Sequence, residues 1–180
     1  MIRLWAGILL TLCNGIRDTL PLLAAAALHE AGHVLACILF RVPMRFFRLH
    51  TAGAVIGYDA AFLPYSKEAW IAAAGPIVGI CGTAAAALWG SGRNAALFAA
   101  ASLGLSVFNL LPILPLDGGV ILSAILHLHF TADTCAGVLS CFRHAGTVLL
   151  WILSVTVQLR CGGNLSLLIV SICMLIRLAE

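Results

Sequence analysis

Ala27–Phe40 reads ALHEAGHVLACILF. Two histidines and a glutamate interrupt an apolar run that begins near Thr19 and ends at Phe40. His29 and His33 are four apart, so a helix sets them one above the other on a single face, about 6 Å along its axis. A run of this length spans a bilayer as a helix, and Glu30 then falls near its midplane. Ionisable groups at that depth are costly and point to a functional site.

The rest of the chain agrees with a lipid setting. Its 180 residues are 62% hydrophobic and 9% charged, and the mean hydropathy is +1.09. Soluble domains carry about 25% charged residues. In lipid the backbone must satisfy itself, which leaves helices or a closed barrel. Unbroken Leu- and Ala-rich runs without period-2 alternation select helices. The net charge of +3 gives no reason to invoke nucleic acid. The seven cysteines are scattered with no C-x-x-C pair and read as buried small hydrophobes.

These runs predict an all-α, multi-spanning membrane protein with about six helices. They fall near residues 2–16, 19–40, 69–89, 95–111, 144–159 and 165–178. The first resembles a signal peptide but lacks an A-x-A-like cleavage site, and Leu12 stands where a lipobox before Cys13 needs a small residue. It is read as a span. Between the second and third helices, alternation in FRLHTAGAVIGYD predicts a small β-hairpin over about 46–51 and 54–59. Between the fourth and fifth, residues 114–140 read as a loop followed by an interfacial helix. Arg3, Arg41, Arg45, Arg48, Lys67, Arg143 and Arg177 fall on one side, and only Arg17, Arg93 and Arg160 on the other. The positive-inside rule makes the first side, with the hairpin, cytoplasmic.

H-E-x-x-H on a helix is the spacing with which two imidazoles hold one zinc ion while the glutamate serves as general base. Zinc needs a third protein ligand and an open position. Cys37 shares the face of His33 but lies about 12 Å from His29 along the axis, so the ligand should come from another helix. In FNLLPILPLDGG, Phe108–Gly119, two prolines end the fourth helix. Asp117 is then the lone acid in an apolar neighbourhood. Taken alone it reads as a turn residue or helix N-cap; paired with HEAGH it reads better as a ligand. Its charge together with that of Glu30 would bring a zinc site near neutrality, which a low dielectric favours.

HEAGH, followed by Asn109, Pro112, Leu116, Asp117 and Gly118 in the pattern N-x-x-P-x-x-x-L-D-G, resembles the site-2 protease family of intramembrane zinc metalloproteases. AAGP at Ala73–Pro76 resembles that family's Gly-Pro feature in the next core helix. The layout is most similar to the stage IV sporulation protein FB type, with neither a PDZ nor a CBS domain. The resemblance covers about residues 19–120 of a single domain, 1–180, with further membrane helices at about 144–178. It implies that His29, His33 and Asp117 are zinc ligands, that Glu30 is the catalytic acid/base, and that Asn109 positions substrate backbone. It further implies a membrane-embedded or membrane-associated substrate, a sporulation sigma-factor precursor being one candidate, and regulated proteolysis at the cell membrane. A regulatory membrane partner would fit a chain this short. Two other classes compete. An ion-binding transporter should show inverted repeats, and none is visible. A catalytically inactive scaffold would usually lack the glutamate, and Glu30 is present.

Overall fold

Leucine and alanine dominate the stretch that follows Pro21, and both are good helix formers. They build α1 (Ile16–Leu39). The computed structural model describes residues 16–42, 44–50, 53–58 and 63–161. Four more helices follow α1: α2 (Tyr65–Trp89), α3 (Gly92–Asn109), α4 (Asp117–His129) and α5 (Ala132–Cys161). Between α1 and α2 the chain runs through β1 (Met44–His50) and β2 (Gly53–Tyr58). These pair antiparallel from Met44 opposite Tyr58 to His50 opposite Gly53, with an irregularity between Met44 and Phe46.

The expected all-α fold of about six membrane helices is corrected, while β1 and β2 stand where the hairpin was expected. Five helices lie among the described residues, and three segments are long and apolar enough to cross a membrane: Thr19–Leu39, Tyr65–Trp89 and Ala132–Thr156. The expected first and sixth helices, 2–16 and 165–178, lie outside the described residues. The expected fourth becomes α3, whose ends hold Arg93, Asn94 and Asn109, too polar for a span. The expected interfacial helix is in fact two elements. One is α4, a core helix that buries Gly118, Gly119, Ala124 and Leu126. The other is the start of α5, which continues without a proline to Cys161 and absorbs the helix expected from residue 144.

α2 is the centre of the bundle. It packs on α1, α3 and α4, and α1 also packs on α3. Small residues and hydroxyls let α2 and α3 approach, as in helix pairs within lipid. Ser102 Oγ donates to the Gly79 carbonyl at 2.9 Å, and Thr83 Oγ1 donates to the carbonyls of Gly79 and Ala99. Outward faces stay apolar: Leu39 is 71% exposed, Leu88 73% and Leu149 67%. Water would penalise such faces, and hydrocarbon does not.

α1 ends in a Schellman motif. The Val42 N–H donates to the Cys37 carbonyl at 2.9 Å and the Arg41 N–H to the Ile38 carbonyl at 3.1 Å. Val42 and Cys37 then pack together with Ala36 and Ile71, the apolar contact that accompanies this motif. The turn requires left-handed backbone, and Arg41 supplies it at φ 53° where glycine is the usual residue. An L side chain there costs roughly 1 kcal/mol. Arg41→Gly is therefore expected to raise the thermal midpoint in detergent by about 2–4 °C. A fall in the midpoint would show that the Arg41 side chain contributes more than its backbone strain costs.

The prolines of FNLLPILPLDGG break the helix between α3 and α4 at residues 110–116. Non-helical backbone at membrane depth survives only when buried in protein. Here Ile113 (3% exposed) and Leu116 (7%) are covered by Leu150 of α5. The N–H of Leu116 is satisfied by the Ile113 carbonyl at 2.8 Å. Gly118 permits the return, because a Cβ there would strike the Leu110 carbonyl.

Candidate metal centre

α1 carries His29 and His33 on the face that meets α2, and the break after α3 delivers Asp117 as the first residue of α4. His29 Nε2 is 3.1 Å from Asp117 Oδ2, across 88 positions of sequence. His33 Nε2 is 3.3 Å from His29 Nε2 and 3.4 Å from Asp117 Oδ2. The two rings meet edge to face, with centroids 5.0 Å apart. The site is secluded: side-chain exposure is 4% at His29, 12% at His33 and 20% at Asp117.

The tautomer of His33 follows from its other nitrogen. Nδ1 lies 2.8 Å from the Ile71 carbonyl, which can only accept, so Nδ1–H donates. In the neutral ring Nε2 then presents a lone pair to the carboxylate oxygen and to His29. His33 Nε2 and Asp117 Oδ2 are then two acceptors 3.4 Å apart, a pairing that a shared cation would relieve. His29 Nδ1 is buried with no partner among the described residues, so nothing fixes that ring from behind as Ile71 fixes its neighbour.

The donor spacing itself tests whether zinc fits. Atoms held about 2.0–2.1 Å from one ion at tetrahedral angles lie about 3.3 Å from each other. The three edges found here, 3.1, 3.3 and 3.4 Å, match one face of such a tetrahedron. The chemistry agrees: two imidazoles and one carboxylate suit zinc and leave the fourth position open. Among the described residues this trio is the one group of His, Cys, Asp and Glu side chains placed to hold an ion.

Of the other residues singled out by sequence, Glu30 neighbours His29 on α1, half-buried and outside the trio. It is free to act on a reacting group rather than as a ligand. Asn109 is the last residue of α3, and its Nδ2 donates to the Leu105 carbonyl at 3.1 Å, within its own helix. Cys37 is buried in the apolar cluster with Ala36, Val42 and Ile71. Two contributors from α2 were not legible as contacts: the Ile71 carbonyl and Gly75. Gly32, one of the variable positions of HEAGH, faces Gly75 and its neighbour Ala74. A Cβ on Gly32 would come within 2.6 Å of the Ala74 carbonyl oxygen and 3.0 Å of Gly75 Cα. Small residues at 32 and 73–75 were the available signal, but which residue faces which depends on how the two helices pack.

Comparison with known proteins adds two findings. Residues 73–153 match the model of Peptidase family M50; the match includes Gly75, Asn109 and Asp117 and begins after the HEAGH helix. Among solved structures, the site-2 protease from Methanocaldococcus jannaschii superposes with a TM-score of 0.66 at 26% identity, covering 96% of this chain and 82% of that one. No curated protein sequence matches.

Proposed function

We propose that this chain, which matches Peptidase family M50 over residues 73–153 and a site-2 protease in fold, is a zinc endopeptidase of that kind acting within the bilayer. Its substrate is a membrane-embedded or membrane-associated protein. The observation that carries this reading is the convergence of His29, His33 and Asp117 at the edge lengths of a tetrahedral site.

In this reading His29 Nε2, His33 Nε2 and Asp117 Oδ2 hold the ion. When bound, zinc supplies Lewis-acid activation of water and of the scissile carbonyl. Glu30 accepts the proton of the attacking water and returns it to the leaving amide nitrogen. The Ile71 carbonyl keeps His33 in the tautomer that offers Nε2 inward. Asn109 contributes to the placement of substrate backbone, since its side chain sits where the α3 break leads to Asp117. The apolar outer faces of α1, α2 and α5 support a bilayer setting, in which a multi-pass bundle would keep bulk water away from the trio. The basic stretch from Arg41 to Lys67 supports a cytoplasmic location for that end of the bundle. The substrate class follows from depth: a site among membrane helices reaches chains that enter the membrane. The likeness of Asn109–Gly119 to the sporulation type makes an inactive sigma-factor precursor the first substrate to try, within a regulated pathway that includes a membrane partner.

Metal removal tests the reading. The chain purified in mild detergent is expected to carry about one zinc. Stripping with a chelator should abolish cleavage of a transmembrane test peptide, and zinc but not magnesium should restore it. A well-folded chain that takes up no zinc when supplied with it would defeat the proposal.

A further inference from the structure

We infer that Gly75 is a positioning residue of the metal site: its missing side chain is what allows the His29 and His33 imidazoles to converge. This inference rests on the reading of the trio as a metal centre, and part of its test is independent of that reading.

α2 gives the trio no ligand, yet it forms one wall of it. A Cβ built on Gly75 would strike His33 Nε2. It would lie 2.5 Å from His33 Cε1 and 2.9 Å from His29 Nε2. Carbon atoms do not approach ring atoms so closely, so one side must give way. The added methyl would also lie beside the gap between the two Nε2 atoms, only 3.3 Å wide.

The surroundings leave no easy relief. His33 cannot swing aside without leaving the Ile71 carbonyl, which holds its Nδ1 at 2.8 Å. α2 cannot back away from α1 without opening the close contact of Gly32 with Ala74 and Gly75. Pro76, the next residue, is itself fully buried. One turn of α2 thus serves the site through backbone alone, with a carbonyl that orients one ring and a bare α-carbon against which both rings rest.

The test compares the parent, Gly75→Ala and Gly82→Ala in detergent, with zinc and cobalt(II) as probes. Gly82 is the control on the same helix, because its added methyl would meet the flexible end of Leu28 on α1, remote from the imidazoles. Gly75→Ala is expected to bind zinc about 10- to 100-fold more weakly, the range for lost support around a ligand. Its cobalt absorption bands should weaken or shift. Gly82→Ala should keep the parent's zinc affinity and cobalt spectrum. Parent-like zinc affinity and an unchanged cobalt spectrum in Gly75→Ala would overturn the inference.

A double-mutant cycle on metal-free protein covers the case in which Gly75→Ala is too unstable to load. If the clash is with the imidazole, Gly75→Ala should lower the thermal midpoint in the parent and much less in a His33→Ala background. An equal drop in both backgrounds would overturn the inference. Should the parent bind neither zinc nor cobalt, the proposed function fails, and the cycle alone decides whether Gly75 sets the positions of the rings.

Discussion

Glu30→Gln is expected to leave the chain folded and fully loaded with zinc while slowing peptide hydrolysis by about 10²- to 10⁴-fold. Glutamine keeps the size and a hydrogen-bonding oxygen of glutamate but cannot take up a proton. Glu30 stands outside the three side chains whose donor atoms converge, so the ligand set stays intact. Its half-buried side chain follows His29 on α1, the position that the proton-transfer role requires. Single-turnover cleavage of a transmembrane peptide, run beside metal analysis of the same sample, separates the two effects. A rate within tenfold of the parent would remove Glu30 from proton transfer. Loss of zinc along with activity would recast it as part of the metal-holding set. With turnover stopped and metal retained, the variant should also hold substrate long enough for capture.

The second large effect is expected at Asp117. Asp117→Ala should weaken zinc binding by more than about 100-fold, since removing a ligand should cost more than removing support around one. The carboxylate contributes the trio's negative charge. Without it, a dication would face two neutral imidazoles in a secluded site, where uncompensated charge is costly. The fold should survive, because the recorded partners of the carboxylate are His29 and His33 themselves, while the α4 entry is held by the Gly118 packing and by Ile113 and Leu116 against α5. Chelator competition on the parent, Asp117→Ala and Asp117→Asn measures the loss. The asparagine variant separates charge from geometry by keeping an oxygen in place. Undiminished zinc in Asp117→Ala would sink the ligand set and with it the link between α1 and α4.

The sequence made the trio legible because its members break local rules. His29, Glu30 and His33 are ionisable in a run that reads as lipid-facing, and their spacing specifies a shared helical face. Asp117 stands alone among prolines, glycines and leucines, where an acid has few other reasons to be. Contacts that depend on the packing of one helix against another were not legible. AAGP at Ala73–Pro76 marks the neighbourhood of Gly75 in the sequence, but only the crossing of α1 at Gly32 brings it under the imidazoles. The helix count failed for a related reason. Apolar runs report what can be buried, and they do not distinguish lipid from protein as the medium. α4 is apolar because it packs on α2, and α3 is shortened as a span by polar residues at both ends. The extent of α5 was hidden because Arg143 and His144 looked like an interfacial boundary, whereas the helix runs through them.

The 88 residues between His29 and Asp117 also impose an order in time. Chains are made from the N-terminus, so the HEAGH helix is complete long before its third partner has been translated. Until α2 is seated and α4 has followed, a nascent chain owns the two imidazoles and Glu30 but not Asp117, the third member of the trio. Contacts this far apart form late, after the entropy of closing the intervening chain has been met. A protease assembled in this sequence stays inert while its own helices, and those of neighbours being inserted beside it, are still unpacked. The trio therefore cannot be complete before α4 has been made and packed.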